Sequence, residues 1–107
     1  MRDSVLEREV FLLGFSPRHK GFYYLCSVLS ELMGRNGYVS AAEAYGIACR
    51  KNRDDPSRVE RCIRYAIYYA WEVNRGGIRE LFPGSQTPPT PVELIRSMLW
   101  KLDEIRE

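Results

Sequence analysis

Between Arg50 and Arg64 the chain carries Arg50, Lys51, Arg53, Arg58, Arg61 and Arg64 against only Asp54, Asp55 and Glu60, a basic cluster in a sequence whose formal net charge is just +2. Arginine presents a planar fork of donors that pairs bidentately with phosphate or with the two acceptors on the major-groove edge of guanine. A neighbouring carboxylate is suited to accept from the amino group of cytosine. Arg58, Glu60 and Arg61 therefore have the chemistry to read base edges, while Arg64, Tyr65, Lys51 and Arg53 are candidates for the phosphate backbone. An arginine-rich helix face that is merely solvated accounts for the same pattern. The net charge does not decide between them, because a weakly basic balance is common to proteins of every function.

Other chemistries find little support. His19 is the sole histidine, and no G-x-S-x-G or similar nucleophile signature accompanies it, so a structural or capping role is expected. Asp54-Asp55 is one adjacent pair without further ligands at usable spacing, which reads as a turn followed by an N-cap rather than a metal site. Cys26, Cys49 and Cys62 are widely spaced with no C-x-x-C pair, as expected of reduced structural thiols, and Cys62 falls on an apolar face where it should pack. Pro88-Pro89-Thr90-Pro91 contains a P-x-x-P spacing but is better read as a stiff connector ending in a helix cap. Neither an enzymatic activity nor a metal or cofactor is expected. No apolar run approaches the length of a bilayer span, and the N-terminus lacks the layout of a signal peptide, so a cytoplasmic location is expected.

The elements that must position the basic cluster are helices. With 107 residues, 45% of them hydrophobic and 28% charged, the chain is expected to form a single domain over 1–107. Ser4-Val5-Leu6-Glu7, Ser40-Ala41-Ala42-Glu43 and Thr90-Pro91-Val92-Glu93 fit the capping box. Ser16-Pro17, Asp55-Pro56 and Thr90-Pro91 place a capping oxygen before a proline at the first helical position. Phe22, Leu25, Cys26, Leu29, Leu32 and Met33 form one apolar stripe, and Ile95, Met98, Leu99, Leu102 and Ile105 form another. Two-residue alternation is absent, and the turn clusters Gly34-Arg35-Asn36-Gly37 and Pro83 to Pro89 separate helices. The expected fold is all-α, a compact bundle of about six helices, with spans near 4–13, 17–33, 40–51, 56–74 and 91–106 and a short turn of helix near 77–82.

A helix-turn-helix is expected over about 40–73: a capped helix, a polar break at Asn52-Arg53-Asp54, and a longer helix over 56–73. On the longer helix Val59, Cys62, Ile63, Ala66, Ile67 and Ala70 share one face, and Ser57, Arg58, Arg61, Arg64, Tyr65 and Tyr68 the other. Base readers usually lie in the first turn of such a helix, where Arg58, Glu60 and Arg61 stand. Trp100 points away from the apolar stripe of the last helix, so another segment of the chain is expected to cover it, with a self-association surface as the alternative.

Three stretches resemble the C-terminal effector domain of the stage-zero sporulation response regulator A family. They are Leu13-Gly14-Phe15-Ser16-Pro17-Arg18-His19-Lys20-Gly21-Phe22-Tyr23-Tyr24-Leu25, then Ser57-Arg58-Val59-Glu60-Arg61-Cys62-Ile63-Arg64-Tyr65-Ala66-Ile67 closing on Ala70-Trp71, and finally Leu81-Phe82 followed by Pro89-Thr90 and Glu93. The resemblance runs in one order over nearly the whole chain. It implies a sporulation-type transcription regulator that places the 56–73 helix in the major groove of double-stranded DNA, on boxes resembling TGTCGAA and usually in tandem copies that promote self-association. It further implies base contacts by Arg58, Glu60 and Arg61, backbone contacts by Ser57 and Arg64, and contact of the RNA polymerase sigma subunit through Leu81 and Phe82. Tyr65 stands where the family usually has histidine, and the turn before Pro56 is longer than the family's, which puts the box sequence in doubt. The family's regulator also has a receiver domain with a phosphoryl-accepting aspartate, for which 107 helix-filled residues leave no room; an excised domain or a stand-alone protein is expected. The rival reading is a helical module that acts on a sigma factor, a kinase or a full-length regulator. Arg58-Glu60-Arg61 favours DNA, since such a module needs no base-reading chemistry.

Overall fold

Within residues 3–33 and 39–106, which the computed structural model describes, the chain is helical along its stretches of apolar periodicity. The helices are α1 (Asp3–Leu12), α2 (Lys20–Leu32), α3 (Ala41–Asn52), α4 (Pro56–Tyr68), α5 (Ile78–Leu81) and α6 (Pro91–Arg106), with a π-helical turn over Tyr69–Asn74 continuing α4. No strand occurs among the described residues. The expected turn at Gly34-Arg35-Asn36-Gly37 and the side chain of Ile105 lie outside them.

Three of the five marked helix starts hold. The Ser40 hydroxyl accepts from the Glu43 N–H at 3.1 Å, and the Asp55 carboxylate from the Arg58 N–H at 2.9 Å behind Pro56. At α6 the capping box is reciprocal: Thr90 Oγ1 accepts from the Glu93 N–H at 3.2 Å, and Glu93 Oε1 from the Thr90 N–H at 2.9 Å. Each such cap contributes on the order of 1 kcal/mol.

The other two marked starts do not cap a helix. Ser4 lies inside α1, which already includes Asp3. Ser16-Pro17 forms a turn, because the Ser16 hydroxyl closes on the Arg18 N–H two residues ahead, and α2 begins only at Lys20. Both motifs have the composition of a cap, but at Ser16 a hydroxyl bonded two residues ahead makes a local turn instead.

The core is continuous across the helices. Helix α2 buries Phe22, Tyr24, Leu25, Val28, Leu29 and Leu32; α4 and the π turn bury Val59, Ile63, Ala66, Ile67, Ala70 and Trp71; α6 adds Leu94, Ile95, Met98 and Leu102. The closest approach is at Gly21, where an added Cβ would lie 2.5 Å from the Cys62 carbonyl oxygen and 2.7 Å from the Ala66 Cβ. Glycine at this point lets α2 lie directly on α4.

A second close approach joins α1 to the chain after the π turn. The Gly77 N–H donates to the Leu12 carbonyl at 3.2 Å and the Ile78 N–H to the Leu13 carbonyl at 3.0 Å. The Asn74 amide donates to the Gly14 carbonyl at 2.8 Å. Gly14 has φ 111°, a value glycine adopts without the usual Cβ penalty. The arrangement fixes the far end of the α4 rod, and Arg79 stacks on the buried Trp71 ring at 4.6 Å. The radius of gyration, 12.6 Å, is close to the ~13 Å of a compact chain of this length.

Trp100 departs from the expectation that another segment covers it: it is 74% exposed. Its indole N–H is satisfied within its own helix, donating to Glu104 at 3.1 Å, so no covering segment is needed to pair it. None of the described helices is long and apolar enough to cross a membrane.

Candidate nucleic-acid interface

Helix α3, the turn Arg53-Asp54-Asp55 and α4 follow one another as the expected helix, turn and helix. The turn begins where Arg53 takes the left-handed conformation, φ 54° and ψ 51°, and closes α3 through its N–H on the Cys49 carbonyl. It is then held from α2. The Tyr24 hydroxyl donates to Asp54 Oδ2 at 2.5 Å, and the Asn52 amide donates to the Ser27 hydroxyl at 3.2 Å and to the Ala48 carbonyl at 2.9 Å. Burial, then the hydrogen bond to Asp54, push the Tyr24 phenol up to about 12. The same hydrogen bond holds the Asp54 carboxyl below its usual range.

From this anchored turn α4 presents two chemically opposed faces. Val59, Ile63, Ala66 and Ile67 are buried and Cys62 half-buried, while Ser57, Arg58, Arg61, Arg64, Tyr65 and Tyr68 are all exposed. Ser57, Glu60, Arg61, Arg64 and Tyr65 line one shallow concavity on the outer face. A rigid rod with a basic outer stripe is the shape a major groove admits.

The individual charges differ in how they are held. Arg58 approaches Asp54 through Nε at 3.3 Å and Asp55 at 3.9 Å. Arg64 Nε donates to Glu60 Oε2 at 3.0 Å. Arg61 has no ion-pair partner among the described residues and projects from the first turns between those two pairs. Arg53 shares a concavity with Arg58, Lys20, Tyr23 and Asn52. Lys51 pairs with Glu31 on α2 at 3.2 Å and shares its groove with Glu7, Tyr23 and Ser30 instead of with α4.

His19 precedes α2 at the N-cap position but makes no side-chain cap. Its ring meets those of Tyr65 and Tyr69 edge-on, at centroid distances of 5.1 and 4.8 Å, so its role is to pack the start of α2 against α4. Leu81 and Phe82 are half-buried, at the end of α5 and well away in sequence from the basic stripe. Sequence reasoning missed Lys20 beside Arg53 and Arg58, and missed the Tyr24–Asp54 contact. Neither has a local signal, since both depend on which helix lies against the turn.

A family model described as Sporulation initiation factor Spo0A C terminal matches residues 7–102. The matched span takes in the Tyr24 anchor, the turn and all of α4. With nearly the whole chain accounted for, this protein belongs to the Sporulation initiation factor Spo0A C-terminal family.

Proposed function

We propose that Arg58, Glu60 and Arg61 read base edges while Ser57, Arg64, Tyr65, Arg53 and Lys51 meet phosphates, in a chain that is, as a member of its family, a sequence-specific DNA-binding domain of a sporulation transcription regulator. The observation that carries the assignment is the two-faced α4: its inner face is consumed by the core, and its outer face carries three exposed arginines. The first turn of a recognition helix comes nearest the base edges, and residues further along meet the backbone. Arg61, without an ion-pair partner among the described residues, has both ends of its fork available for guanine.

The box is TGTCGAA-like by resemblance. Tyr65 is an exposed aromatic on the outer face, placed to alter the flank of the site. Tandem boxes promote pairing of copies on DNA, and Leu81 and Phe82 are the candidate contact with the polymerase sigma subunit. Selection of bound duplexes from a random pool at moderate salt tests the assignment. Recovery of a TGTCGAA-like box is the expected result; an empty selection would shift the reading to a protein-interaction module.

A further inference from the structure

Asp54 links the buried Tyr24 of α2 to Arg58 in the first turn of α4. Its Oδ2 accepts from the Tyr24 hydroxyl at 2.5 Å. Its Oδ1 accepts from the Asp55 N–H at 2.9 Å and faces Arg58 Nε at 3.3 Å. Tyr24 is itself buried in α2, so the carboxylate is held from behind by a ring packed in the core. Asp54 is only 13% exposed at its side chain, whereas Arg58 is 51% exposed. A well-anchored carboxylate thus forms an ion pair at the base of a solvent-facing guanidinium.

The contact falls on Nε, which leaves the terminal amino groups to make the fork that fits O6 and N7 of guanine. A long side chain held at its neck loses less rotamer freedom when it binds, and this lowers the cost of a directional contact. It does not lower the cost of a diffuse phosphate contact to the same degree, because phosphates accept from many directions. The carboxylate also sets a negative charge close to the DNA surface, which disfavours contact that is merely electrostatic.

We propose that Asp54 is a positioning residue for sequence discrimination: it touches no base, and it orients Arg58 for a guanine edge by linking it through Tyr24 to the core. The inference rests on the reading of Arg58 as a base-contacting residue. Hydrogen bonding by Tyr24 keeps the Asp54 carboxyl below its usual range, so the buttress is charged under ordinary conditions.

The test is a double-mutant cycle on two duplexes, the box recovered by selection and its scramble, with Asp54→Asn, Arg58→Ala and the double variant. Replacing a charge-assisted hydrogen bond by a neutral one should reduce the matched-to-scrambled affinity ratio about fivefold in Asp54→Asn. Affinity for the scrambled duplex should hold or rise, since a negative charge has gone. In the Arg58→Ala background Asp54→Asn should leave the ratio unchanged, because the group it positions is absent. An unchanged ratio in Asp54→Asn, equal losses on both duplexes, or the same fall with and without Arg58 would overturn the proposal while leaving Arg58 as a reader. An Arg58→Ala variant with undiminished discrimination would overturn the reading of Arg58 and the proposal together. Should Asp54→Asn fail to fold, Tyr24→Phe decides: it keeps the ring and removes the anchor, and it should lower the ratio in the same direction, an unchanged ratio counting against the proposal.

Discussion

Arg64 and Glu60 are joined across one turn of α4, with Nε donating to Oε2 at 3.0 Å, so a candidate phosphate contact and a candidate base contact share one ion pair. Exposed pairs at this spacing contribute only about 0.3–0.5 kcal/mol to stability. Arg64→Ala should therefore leave the melting temperature nearly unchanged. It should weaken matched and scrambled duplexes by similar factors and reduce the salt slope of binding by about one unit, the signature of a lost phosphate contact. A titration series in salt on both duplexes checks this. Loss confined to the matched duplex would move Arg64 into the base-reading set.

Gly21 is the point at which α2 touches α4, and a Cβ there would meet the Cys62 carbonyl at 2.5 Å and the Ala66 Cβ at 2.7 Å. Backbone cannot yield as a flexible side-chain tip does, so Gly21→Ala forces the helices apart. Chemical denaturation should show a loss of roughly 1–3 kcal/mol, the usual cost of overpacking a core. An unchanged midpoint would mean the helices are less closely opposed than described.

Arg53 adopts a left-handed conformation, φ 54°, which costs a residue with a Cβ roughly 1–2 kcal/mol and glycine far less. Arg53→Gly should accordingly hold or raise stability, by up to about 1 kcal/mol after the added freedom of the unfolded chain is counted. Affinity should fall on every duplex, because a cation beside Arg58 is lost. Melting curves and binding isotherms thus move in opposite directions, and parallel losses would assign Arg53 a structural role alone.

The apolar face of α4 and the π turn was largely legible, because which face of a helix is apolar is a local property: Val59, Ile63, Ala66, Ile67 and Ala70 are buried and Cys62 is half-buried. What covers that face was not legible. Gly21 against Ala66, Gly77 against Leu12 and Tyr24 against Asp54 join residues far apart in sequence, and periodicity says nothing of partners. Ser16-Pro17 shows a different limit, since a turn and a helix start share the same composition and differ only in which N–H the serine takes. Trp100 shows a third: whether another segment passes over an outward-facing aromatic is decided by tertiary packing, and Trp100 is left 74% exposed. Within the site, the charges were legible but their pairing was only partly so, since Arg58–Asp54 and Arg64–Glu60 depend on rotamers.

Stability should depend on pH at both ends of the scale, through burial of Tyr24 and its hydrogen bond to Asp54 at the alkaline end and through that hydrogen bond at the acid end. Tyr24 is raised to about 12, so its contribution is fully present below the ordinary tyrosine range near 10 and is lost as pH climbs toward 12. Asp54 is lowered, so its contribution is present above the ordinary carboxyl range near 4 and is lost as pH falls through the depressed value. Tyr24→Phe should flatten the alkaline limb of the stability profile, as read by thermal melts from neutral pH to pH ~11. An unchanged alkaline limb would mean that other tyrosines carry it.

Arg61 faces outward from α4 without an ion-pair partner among the described residues. Affinity of Arg61→Ala for matched and scrambled duplexes, with melting as the folding control, measures what that fork does. The predicted result is a loss of about 1–3 kcal/mol on the matched duplex, the discrimination expected of a bidentate contact to guanine, with far less loss on the scramble and an unchanged melt. Equal losses on the two duplexes would contradict base reading by α4.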